Sequence, residues 1–98
     1  MILGAKNMTT ISSKYDVTSE KLNDIWMLGF AEEEYGSCQE EGFASALIVT
    51  DNLFGIIEEN SLGFVDYEIF KTEQDARNRW SDMVTTWEQH YHPEAFYA

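Results

Sequence analysis

The chain has 98 residues, enough for one domain, and it carries 18 acidic residues against 6 basic ones, a net charge of −12. Between Leu22 and Phe70 there is no Lys or Arg, while that stretch holds eleven carboxylates: Asp24, Glu32, Glu33, Glu34, Glu40, Glu41, Asp51, Glu58, Glu59, Asp66 and Glu68. Such a balance excludes binding of nucleic acid or anionic lipid through a basic surface.

Residues 1–15 are polar and weakly patterned and are expected to form a flexible N-terminal segment, with Met8 a second candidate start; residues 16–98 are expected to form the folded domain. Residues 19–41 read as a helix capped by Thr18 or Ser19. Its apolar stripe runs through Leu22, Ile25, Leu28, Ala31, Tyr35 and Cys38, widened by Trp26 and Phe30, and Gly42 ends it.

Three strands are expected next: 43–50, 53–58 and 62–70, separated by Asp51-Asn52 and Glu59-Asn60-Ser61. In the third, Val65, Tyr67 and Ile69 alternate with Asp66 and Glu68, which predicts one buried and one wet face. Residues 73–91 read as a second helix. Thr72 and Asp75 resemble a capping box, and Ala76, Trp80, Met83, Val84, Trp87 and Tyr91 form its apolar face, expected to pack on Val65, Tyr67 and Ile69. Arg77 and Arg79 fall on its polar side, and Pro93 ends it. The expected fold is α+β, a single domain in the order α-β-β-β-α, with a three-stranded antiparallel sheet packed against the helices.

No catalytic pattern stands out, and the protein is read as a non-enzyme without cofactor or metal. Cys38 is the only cysteine, which rules out an intrachain disulfide; its neighbours Glu34, Glu40 and Glu41 disfavour a reactive thiolate. His90 and His92 straddle a helix end and supply fewer ligands than a zinc site needs. There is no signal-peptide pattern and no apolar run near the roughly 18 residues that span a bilayer, so a cytoplasmic location is expected.

The carboxylates are the strongest constellation. Asp66 and Glu68 share a strand face roughly 6–7 Å apart. Glu58 or Glu59 is expected on the neighbouring strand, and Glu32, Glu33, Glu34, Glu40 and Glu41 on the first helix and its end. Like charges held together oppose folding, so such an array points to a role outside stability.

In size, charge and element order, the segment 19–91 resembles two groups of proteins. The order is that of double-stranded-RNA-binding domains, but acids replace the basic residues that would grip phosphates. The small acidic inhibitors of bacteriophages, anti-CRISPR proteins and related DNA mimics, resemble it in charge as well. That resemblance implies an acidic protein–protein interaction module, a monomer or homodimer acting in the host cytoplasm. It would occupy the basic nucleic-acid-binding site of a Cas effector or other nuclease. The alternative is an acidic adaptor or regulatory subunit unrelated to DNA mimicry. The residues expected to meet the partner are Glu32, Glu33, Glu34, Glu40, Glu41, Glu58, Glu59, Asp66 and Glu68.

Overall fold

A computed structural model describes residues 17–94. The expectations for the first fifteen residues and for Met8 lie outside these. The element order is α1 (Val17–Met27), β1 (Glu33–Ser37), β2 (Phe43–Val49), β3 (Phe54–Asn60), β4 (Val65–Phe70) and α2 (Glu73–Tyr91). The fold is α+β, with four antiparallel strands in the order β1-β2-β3-β4 rather than three.

The extra strand comes from the first expected helix, which stops at Met27 instead of Glu41. Gly29 takes φ +85, a left-handed conformation that a side chain resists, and the chain turns there. Its amide donates to the Trp26 carbonyl and the Phe30 amide to the Ile25 carbonyl, closing the helix end. The chain then re-enters as β1, whose Glu33 faces Leu47 and Tyr35 faces Ser45 across the ladder. Gly36 has φ +87, and a Cβ there would lie 2.6 Å from the Phe43 carbonyl oxygen. Only glycine fits.

Helices cover both faces of the sheet, which corrects the expectation of one wet face. Leu22 and Trp26 of α1 pack with Ala46, Ile48, Ile57, Val65 and Tyr67. Ala76, Trp80 and Met83 of α2 pack with Leu47, Ile56 and Phe70, with Trp87 and Val84 beside them. Helix α2 therefore does not rest on Val65, Tyr67 and Ile69; those residues face α1. Strand period decides this, because residues opposite one another in a ladder share a face. Glu68 lies opposite Ile56, and Ile56 opposite Leu47, so Glu68 sits beneath α2.

The α2 boundaries match expectation. Thr72 caps it by accepting from the Asp75 amide at 3.1 Å, and the His92 amide closes it on the Glu88 carbonyl at 2.8 Å. The β3–β4 turn is held by Asn60, whose Oδ1 accepts from the amides of Leu62 and Phe64.

Candidate functional site

The nine carboxylates expected to meet a partner divide into two main groups. Five lie along the β1 edge of the sheet: Glu32, Glu33 and Glu34 at the start of β1, Glu40 and Glu41 in the turn after it. Strand geometry sends Glu33 and Glu34 to opposite faces, and each meets an indole from the helix on that face. Trp80 of α2 donates its Nε1–H to Glu33 at 3.0 Å, and Trp26 of α1 donates to Glu34 at 2.7 Å. Glu32 accepts from Arg77 at 3.0 Å, and the same guanidinium holds Glu73 at 2.7 Å. The two carboxylates raise the Arg77 pKa above its ordinary value. Across the turn, Glu41 accepts the Ser37 amide at 2.8 Å. Glu40 is exposed, its amide held by the Ser37 hydroxyl at 3.4 Å.

An indole N–H and an amide N–H are uncharged donors. They fix the carboxylates of Glu33, Glu34 and Glu41 without neutralising them. Among the described residues, Glu32 is the one of the five whose carboxylate meets a cation, Arg77. The edge therefore presents negative charges at set positions rather than on free-swinging side chains.

The second group behaves otherwise. Glu58, Asp66 and Glu68 share the face of β3 and β4 beneath α2, with Glu58 directly opposite Asp66. Glu58 is 3% exposed and Glu68 fully buried, so in this fold neither reaches a partner; the expectation that Glu68 faces solvent is corrected. Arg79, placed by its sequence position on the polar side of α2, reaches the Glu68 carboxylate at 3.5 Å. Burial raises the Glu68 pKa above its ordinary value, and the Arg79 guanidinium pulls it part of the way back. Asp66 is half-buried on the same face. Glu59, on the opposite face, is half-buried opposite Ala44 and Val65.

Two further features escaped the sequence. Met27, Leu28 and Phe30 are 65–70% exposed at the end of α1 although Leu28 and Phe30 extend its apolar stripe; the turn at Gly29 swings them off the core. They lie in sequence between Trp26, which holds Glu34, and Glu32. On the other side of β1, an open groove of about 260 Å³ runs between the strand and α2, with Leu47, Trp80 and Val84 in it and Glu33 and Arg77 beside them. No sequence signal marks the groove, because its lining comes from β1, β2 and α2 together.

The remaining candidate chemistry is dispersed. Cys38 lies in the β1–β2 turn, half-buried, its Sγ 3.5 Å from the Glu59 carbonyl. His92 sits 4.0 Å from Glu88 and 3.9 Å from Glu94, and His90 packs edge-on to Tyr91. Among the described residues, no group of three or more His, Cys, Asp or Glu side chains is placed to hold a metal, and no helix is long and apolar enough to cross a membrane.

No protein-family model, curated protein or solved structure matches the chain.

Proposed function

We propose that the protein is an acidic interaction module whose β1 edge recognises a basic protein surface, and that this surface is one the partner otherwise uses to hold nucleic acid. The observation that carries the reading is the fixing of Glu33, Glu34 and Glu41 by uncharged donors along one edge. Preorganised charges lose little entropy on binding and keep their full attraction for a cationic partner. A nuclease or Cas effector, with a channel shaped to phosphate backbones, is a partner of this kind.

The second reading is an acidic adaptor or regulatory subunit unconnected with nucleic acid. Met27, Leu28 and Phe30 favour it, because competition with DNA needs charge alone, whereas exposed apolar anchors are the anatomy of an ordinary protein interface.

Affinity isolation from infected and uninfected bacterial lysates, followed by challenge with duplex DNA, separates the two. Recovery of a nucleic-acid-binding protein that DNA displaces supports the first reading. A partner that DNA does not displace, and that Leu28→Ser with Phe30→Ser releases, supports the second.

A further inference from the structure

We infer that the outer edge of β1 and the groove beside it form a docking site for a cationic extended segment of the partner, which joins the sheet as a fifth strand. The inference deepens the reading above and rests on it: the partner is basic, and a strand of it is what the edge takes.

The sheet is open, and β1 is its terminal strand; among the described residues no strand lies outside it. An edge strand turns alternate N–H and C=O groups outward, a ready template for another chain. Proteins commonly blunt such edges with Lys, Pro or a covering element. Here neither Lys nor Pro occurs in residues 32–41, and the charges present are all carboxylates. They repel a second copy of this chain, itself at −12, and attract a cationic strand, so the same charges select for and against.

The groove supplies the other half of the recognition. Side chains of an added strand alternate between the two faces of the sheet. On the α2 side they reach Val84 and Thr85 at the groove's rim, above the buried Leu47 and Trp80, in a space suited to a branched aliphatic side chain. Towards α1 they meet Glu34, held in place by Trp26. Acids bracket both ends of β1, with Glu32 before it and Glu40 and Glu41 after it. Main-chain pairing gives such a complex affinity, and the alternating pockets give it specificity. The fitting segment alternates basic and aliphatic residues.

The test uses the full chain and a short synthetic peptide of alternating Lys and Val. Its control is a peptide of equal charge with each Val replaced by Pro, which cannot pair along an edge. Binding is followed by NMR titration and by amide hydrogen exchange at β1. The inference predicts that the Lys-Val peptide binds about tenfold more tightly than its proline counterpart and newly protects amides within 33–37. Thr85→Trp, which fills the groove from an exposed position on α2, should weaken the Lys-Val peptide and leave the proline peptide unchanged. Equal, salt-sensitive binding of both peptides overturns strand addition while leaving the basic-partner reading intact. Binding of neither, even at low salt, overturns both. Full protection, before any peptide is added, of the β1 amides that bond neither to β2 nor to Glu41 also overturns it, because the edge is then already covered.

Discussion

The same residue type does two different jobs at the two ends of the sheet. At the β1 edge, Glu33 and Glu34 are exposed and held by neutral indole donors. At β3 and β4, Glu58 and Glu68 are buried, and Glu68 meets the guanidinium of Arg79. Eleven carboxylates in a cation-free stretch look uniform when counted along the chain. Burial in the fold, which no count along the chain reveals, divides them: Glu58 and Glu68 lie under α2, where Arg79 reaches the Glu68 carboxylate, while Glu33 and Glu34 stay exposed. A surface carboxylate of the first kind is inexpensive to keep and useful to a partner. One of the second kind is costly to bury and is tolerated only in company.

The largest expected effect tests whether the edge is tied to the core as described. Trp80→Ala removes a buried ring and the donor to Glu33, and should cost about 3–5 kcal/mol in chemical denaturation. A loss below about 1 kcal/mol would show that α2 is not packed on Leu47 and Ile56 as found here.

Next in size is the buried pair. Arg79→Met strands the Glu68 carboxylate and should cost about 3 kcal/mol. Adding Glu68→Leu to it should recover most of the loss, because an apolar pair of similar bulk needs no charge partner. Failure of that rescue would mean that Arg79 stabilises the fold chiefly through its other contacts.

A pH profile sharpens the contrast further. Burial raises the Glu68 carboxyl above the ordinary 4.5, so the folded state holds its proton at pH values where the unfolded chain has released it. The native state then binds more protons than the unfolded one, and the Glu68 contribution to stability falls as pH climbs from 4.5 through the raised folded value. Glu68→Gln should remove that component of the slope, as read from chemical denaturation across this pH range.

Much of this architecture was legible in the sequence, and the part that was not has a physical cause. The period of Ala76, Trp80, Met83 and Trp87, with Thr72 ahead of them, marks α2 to within its observed ends. The meander of β2, β3 and β4 is signalled by Asp51-Asn52 and Glu59-Asn60-Ser61, although β3 continues through Glu59 and Asn60 and the second turn falls between Asn60 and Val65. Strand β1 was hidden, since Glu32-Glu33-Glu34 has helical propensity, and pairing with β2 plus two indole contacts overrides it. The second covered face was hidden too. Asp66 and Glu68 alternate with Val65, Tyr67 and Ile69 as if facing water, and only the arrival of Arg79 over Glu68 lets that face lie under a helix. Of the candidate site, the Glu32–Glu34 and Glu40–Glu41 runs were visible as composition; their common edge was not. The groove and the exposed trio at Met27, Leu28 and Phe30 depend on where α1 stops, which turns on the single left-handed residue Gly29.

The central claim is that position on the β1 edge, and not net charge, makes these acids a recognition surface. Glu33→Gln with Glu34→Gln removes two charges yet keeps an oxygen for each indole, so folding stability should change by less than about 1 kcal/mol. Asp75→Asn with Asp82→Asn removes two charges from exposed positions on α2, away from the edge. The deciding measurement is the rate of association of each variant with the basic partner recovered by affinity isolation, at low and at physiological salt. The edge variant should associate about tenfold more slowly than the helix variant at low salt, with the gap narrowing as salt screens the charges. Equal slowing of both would contradict the claim and reduce the acidic edge to its share of the overall charge.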